Sequence, residues 1–310
     1  MSIRGSLRKA GISSDGANID VFRGTLTARN VITPEGDSFY VDCRRSISGN
    51  GKSWNTAFVT IQEAITASNA QIDWSLTPWL VDNWIHVASG LYEEALTPPY
   101  SCHIIGYGVL GTDTAVEIHP AAGSAMAGTG LGLEMVNIRF EAVNAVPVLD
   151  FGVCNQVIIR DCEILPATNS VTHGISIENG THVRILRNSF HQSQGTPGFS
   201  HGIYAAGGAD KYLHASKIIG NYISGIASGG VGIYIAADCT ATETLIQDNT
   251  INVPGAGIGI DDNNGNSLVV DNRIFVGGSG DAIDHAGGAS KTLGNLCNVN
   301  GTVLWETTIS

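Results

Sequence analysis

ILRNSF (185–190), IIGNYI (218–223), IQDNTI (246–251), VVDNRI (269–274) and TLGNLC (292–297) repeat one phrase: an apolar pair, a polar residue, asparagine, one residue, an apolar residue. The asparagines Asn188, Asn221, Asn249, Asn272 and Asn295 are 33, 28, 23 and 23 residues apart. Self-similarity at such a period marks a solenoid, and each interval is one coil of a parallel β-helix. A second ladder runs alongside: Gly174-Ile175-Ser176-Ile177, Gly202-Ile203-Tyr204-Ala205, Gly232-Ile233-Tyr234-Ile235, Gly257-Ile258-Gly259-Ile260, then Ala282-Ile283-Asp284. Together with MVNIRF, VIIRDCEI and the earlier HIIGYGV they predict an all-β chain of roughly eight to nine coils. Equivalent residues of adjacent coils lie ~4.8 Å apart, so the ladder asparagines are expected to bond to one another along the stack. That makes them scaffold.

Composition agrees. Of 310 residues 43% are apolar, 39 are glycine and only 14% are charged, which suits short strands and tight turns. A net charge of −12 argues against nucleic acid as the partner, since phosphate binding needs a surplus of Lys and Arg. The six cysteines are scattered without a CxxC pair, which reads as free, buried thiols rather than a disulfide framework or zinc site. Cys162 falls in the asparagine column when IRDCEI is aligned on ILRNSF. The N-terminus MSIRGSLRKAGISS has no apolar core of a secretory signal, and no window approaches the ~18 apolar residues of a membrane span. The expectation is a protein made in a host cytoplasm, with no membrane insertion.

Three regions follow. Residues 1–38 mix Gly, Ser, Asn and charge around Val21-Phe22 and Val31-Ile32, and read as a weak strand pair or an arm that docks on a partner. Residues 39–300 form the β-helix. Within them Thr60 and Glu63 make a capping box ahead of Ile61, Ala64 and Ile65, which predicts an amphipathic helix at about 60–68 covering the open N-terminal end of the solenoid. Ile85 and Val87 then alternate with Trp84 and His86 as a first coil strand would. Residues 301–310 form a tail or cap, with Val303, Leu304 and Trp305 as the apolar group available to cover that end. HQSQGTPGFSH and GGADKYLHAS lengthen one coil and read as loops leaving it.

FYVDCRRSISGNGKSWNTAFVTIQEAITAS followed by WIHVASGLYEE resembles the opening segment of pectate-lyase-like right-handed parallel β-helix proteins, and the likeness extends to about Asn300. It implies a right-handed single-stranded parallel β-helix with a short N-terminal capping helix, in a superfamily rich in polysaccharide-active proteins and phage tailspikes. An arm ahead of such a helix is similar in layout to virion spike and fibre proteins. Fold is specified by this motif far better than activity.

In the second ladder Asp150, Ser176, Tyr204, Tyr234, Gly259 and Asp284 are expected to share an outward column between inward isoleucines. Tyr204 stacked on Tyr234 suits the apolar face of a sugar ring, and trimer-interface packing is the alternative. His173 and His201 form a second adjacent pair that joins this glycan-binding reading. Without a third ligand they imply no metal, and no cofactor is implied elsewhere. The candidate catalytic residues are Asp261, Asp262, Asp284 and His285. Asp261 and Asp284 are expected two positions out of register, at a diagonal of about 7–8 Å that suits an inverting glycosidase. The series Asp238, Asp261-Asp262, His285 resembles the polygalacturonase family, but Asp238 sits in AADC rather than Asn-Thr-Asp and His285 in DHAGG rather than Gly-His-Gly. No Arg-Ile-Lys follows. A lyase fits less well, since it needs an Arg or Lys base and usually calcium held by several carboxylates, and the last coils offer only Arg273 and Lys291.

The first reading is therefore a homotrimeric virion spike, fibre or decoration protein, bound to other virion proteins through residues 1–38 and presenting its β-helix to cell-surface polysaccharide. A polysaccharide hydrolase and a non-catalytic glycan-binding adhesin are the alternatives, with an extracellular rather than a virion location.

Overall fold

The computed structural model describes residues 18–22, 25–29, 36–72, 81–166, 171–192, 198–208, 210–263, 265–285 and 291–306. The repeated phrase winds as its spacing requires. Each ladder residue follows one residue with positive φ: Asp161 at 55°, Arg187 at 53°, Gly220 at 68°, Asp248 and Asp271 at 54°, and Gly294 at 70°. A single left-handed residue turns the chain between two strands, and Asp and Gly tolerate that conformation best. Arg187 does so with its guanidinium held by both carboxylate oxygens of Asp161 in the previous coil, each at 2.8 Å.

Three parallel faces result. On the first face the rungs run Met126–Gly128, 149–151, 175–177, 203–205, 233–235, 260–262 and Ile283–Asp284. The second face leads to the asparagine turn, from Ser38–Val41 and Asn83–Ala88 through Ile158–Arg160 and Arg184–Leu186 to Lys291–Leu293. The third follows it, as a 10-stranded sheet from Gly90–Tyr92 to Asn295–Val299, closed by antiparallel Thr302–Glu306. About seven turns carry all three faces among the described residues, fewer than the expected eight to nine because the first coils lack first-face rungs.

Inward positions stack in columns. Ile175, Ile203, Ile233, Ile260 and Ile283 lie in register, as do Ile159, Ile185, Ile218, Ile246 and Val269. Each fully buried aliphatic side chain contributes about 1.5–3 kcal/mol, so the core dominates stability. At the corner each asparagine amide bridges two neighbours. Asn249 Oδ1 accepts from Asn221 N–H (3.0 Å) and Nδ2 (2.9 Å), while its Nδ2 donates to Ile218 O and Asn272 Oδ1, both at 2.9 Å. The chain of bonds runs from Cys162 N–H to Asn295. Cys162 occupies the column as read from its motif, and the six cysteines are free, five of them buried.

The capping helix spans Ile61–Asn69 with the Thr60–Glu63 box formed. Glu94 accepts from the N–H groups of Ile61 (2.7 Å) and Gln62 (3.0 Å), satisfying donors that no helix can satisfy internally. Ile61, Ala64 and Ile65 are buried in the solenoid core, and buried Asn83 ties the helix to the first coil through the oxygens of Ser68. Asn18–Phe22 and Thr25–Arg29 form a separate antiparallel pair with Val21 opposite Leu26. Val31-Ile32 lies outside the described residues. No helix among the described residues is long and apolar enough to cross a membrane.

One reading is corrected here. GGADKYLHAS is not all loop: Tyr212–His214 is a rung between Asn179–Thr181 and Thr240–Thr242, with Leu213 inward, while residues 193–197 of HQSQGTPGFSH lie outside the described residues. The C-terminal strand closes the sheet through its backbone. Its Val303, Leu304 and Trp305 stay 56%, 52% and 66% exposed.

Candidate functional site

The outward column of the first face gathers most of the candidate residues. Asp150, Ser176, Tyr204, Tyr234, Asp261 and Asp284 are register partners in that order. Asp261 therefore stands where Gly259 was expected, directly beside Asp284 rather than diagonal to it. The reason lies in the repeated Gly-Ile of GIGI, which offers two frames. Its second glycine is the structural one: Cβ atoms on Gly174, Gly202, Gly232 and Gly259 would fall 2.5–2.6 Å from the carbonyl of the next coil, at Gly202, Gly232, Gly259 and Ala282. The 23-residue coil length also carried this signal, since Asn249, Asn272 and Asn295 repeat at 23, the interval that separates Asp261 from Asp284.

The rings form one stack. Tyr204 and Tyr234 lie parallel at 5.5 Å and 5°, and His173 lies on Tyr204 at 4.1 Å and 6°. His201 packs beside Tyr234 at 4.9 Å, and its Nδ1 is 3.0 Å from Nδ1 of His173. One Nδ1 must donate there and the other accept, which two neutral rings in opposite tautomers allow and two imidazolium ions do not. Burial, then the His201 charge, pushes His173 down to about 4, and burial lowers His201.

The carboxylates continue the column. Asp261 is only 7% exposed and its Oδ1 has no hydrogen-bond partner among the described residues. Burial, then the charges of Asp284 and Asp262, pushes it up to about 6. Equivalent residues on neighbouring parallel strands are ~4.8 Å apart, so Asp261 and Asp284 are direct neighbours along the column, closer than the diagonal pair expected. Asp262 faces the other way. It is the register partner of Ile235, fully buried in an inward column, and so stands apart from the outer cluster. Asp238 is exposed in the turn after Ile235, away from the column. His285 follows Asp284, and neither of its buried ring nitrogens has a hydrogen-bond partner among the described residues.

One group of metal-ligand type occurs among the described residues: Glu117, His119 and Glu141 on the third face, with donor atoms within 4.8 Å of one another. His119 Nδ1 is 3.1 Å from Glu141, and Arg139 bridges Glu117 (3.1 Å) and Glu163 (2.8 Å), so these acids already have side-chain partners.

The arrangement is that of a parallel β-helix presenting aromatic rings and carboxylates on one face. Residues 124–297 match the family described as right handed beta helix region, and the chain belongs to that family. The solenoid is thus right-handed. Solved structures similar to it include pectin methylesterase from carrot, at 13% identity and a TM-score of 0.44, and pectin methylesterase from Aspergillus niger, at 14% and 0.42, each with 86% of both chains covered. These likenesses say nothing of this chain's substrate. None of the curated proteins matches it.

Proposed function

We propose that the first face is a glycan-contact surface and that the chain is a homotrimeric spike, fibre or decoration protein of a virus particle, turning this face toward host-surface polysaccharide. The observation that carries the glycan reading is the parallel stack of His173, Tyr204 and Tyr234 with Asp261 and Asp284 in line beyond it. Flat rings receive the C–H faces of sugars, and carboxylates beside them accept from hydroxyl groups. The 18–29 strand pair, which shares no sheet with the solenoid, supports a separate anchoring role for residues 1–38 toward other virion proteins. Phe275, Val303 and Trp305, exposed at 40%, 56% and 66% on the outer side of one sheet end, support association of copies. The test is an array of bacterial surface polysaccharides probed with the protein and with a Tyr204→Ala, Tyr234→Ala variant. Binding to one class that the variant lacks supports the reading, and equal binding by both overturns it. Sedimentation at trimer mass supports the assembly, and a monomer at micromolar concentration removes it.

A glycosidase is the second reading, favoured by the Asp261–Asp284 pair. Asp261, raised to about 6, would be the general acid and Asp284 the second carboxylate. Release of reducing ends from a bound polysaccharide, stopped by Asp261→Asn and by Asp284→Asn, decides between enzyme and adhesin.

A further inference from the structure

The second face opens with a different surface, built from six rings. Tyr40, Trp84, His86 and His103 come from outward positions of the first three rungs, where Tyr40 pairs with His86 and Trp84 with His103. Trp54, from the short turn Trp54–Thr56, lies edge-on to Tyr40 at 4.9 Å and to Tyr107 at 5.9 Å. The Tyr107 hydroxyl is 3.0 Å from His86 Nδ1, His86 stacks on Tyr40 at 5.0 Å, and Trp84 lies parallel to His103 at 4.2 Å and 16°. Trp54 and Tyr107 remain 41% and 53% exposed. Outward rings of this size add nothing to the solenoid core.

From His103 this platform runs into a groove of about 310 Å³ lined by His103, Glu134, Gln156, Ile158, His182 and Arg184. Its acids already have side-chain partners. His103 holds Asp82 at 2.6 Å and Glu134 at 2.5 Å, and the second Glu134 oxygen takes Arg160 at 2.6 Å. Arg184 and its register neighbour Lys217 form no ion pair among the described residues. Two uncommitted cations side by side are conspicuous on a chain of net charge −12. We infer that this platform and groove form a second saccharide site, for an anionic oligosaccharide whose rings stack on Trp54 and Tyr107 and whose uronate carboxylate is read by Arg184. An aromatic face supplies affinity for the ring, and the guanidinium fork supplies selectivity for a planar carboxylate. The site lies on a different face from Tyr204 and Tyr234 and stands or falls independently of them.

The test is isothermal titration of the full chain with an oligoguluronate, a neutral cello-oligosaccharide and a sulfated heparin oligosaccharide. Oligoguluronate is expected to bind more tightly than the other two. Arg184→Gln and Tyr107→Ala should each weaken it at least about tenfold, whereas Thr250→Ala on the third face should leave it unchanged. Trp54→Ala should act like Tyr107→Ala, with circular dichroism checking that the 42–58 turn survives. No binding of oligoguluronate, preference for the neutral or sulfated probe, or affinity indifferent to Arg184→Gln and Tyr107→Ala would each overturn the inference.

Discussion

Replacing Asn249 by alanine tests whether the asparagine column is a structural spine. The side chain is fully buried and makes four hydrogen bonds. After truncation Asn221 Nδ2 keeps Ile185 O, and Asn272 Oδ1 keeps the Asn249 N–H. The Asn221 N–H and the Ile218 carbonyl lose the partners Asn249 gave them. An orphaned buried group costs about 1–3 kcal/mol, so two of them give about 2–6 kcal/mol. Thr250, the next residue, points outward on the third face, and Thr250→Ala should change stability by no more than about 0.5 kcal/mol. Urea unfolding followed by circular dichroism, compared at the midpoint with unchanged slope, measures both. A cost at Asn249 below about 1 kcal/mol, or no greater than at Thr250, would show that the strands hold the stack without the ladder.

Cys162→Asn extends the ladder by one coil, since Asn188 Oδ1 already takes the Cys162 N–H and Sγ reaches toward Met135 O; a gain of about 1 kcal/mol in the same urea assay is expected, and a loss would mean the first ladder coil is too tight. Asp261→Asn is expected to stabilise the fold at pH 8 by on the order of 2–3 kcal/mol and by little at pH 4. The folded pKa, about 6, lies above the unfolded value of 3.8, so the native state binds the extra proton between those values and loses stability as pH rises through them. Thermal melts at the two pH values read this, and an equal effect at both would exclude the titration. Gly232→Ala brings a methyl to 2.4 Å from Ile251 and 2.5 Å from Gly259 O, whereas Gly152→Ala meets nothing within 4 Å. The first should cost about 1–3 kcal/mol and the second almost nothing, and parity in melting temperature would show that the coils can move apart.

The solenoid was legible because its period is carried by residues with one job each: a left-handed turn residue, an amide that bridges coils, an inward isoleucine. The capping box at Thr60 and Glu63 was legible for the same reason, being local. Register was harder. GIGI fits the ladder in two frames; the 23-residue coil length and the contact of Gly259 with the neighbouring backbone select one, which moved Asp261 into line with Asp284. Trp84 and His86 were readable as outward from their alternation with Ile85 and Val87. Their meeting with Trp54 and Tyr107 was not, because those rings arrive from a turn and from the far end of a later strand.

A carbohydrate role for the first face is tested most directly by titrating the protein with a fragment of whichever surface polysaccharide it retains, against the Tyr204→Ala, Tyr234→Ala variant. Losing two stacking rings should weaken binding by at least about 2 kcal/mol, roughly thirtyfold, with the circular dichroism spectrum unchanged. Affinity preserved in the variant would contradict a role for the stacked tyrosines in holding sugar.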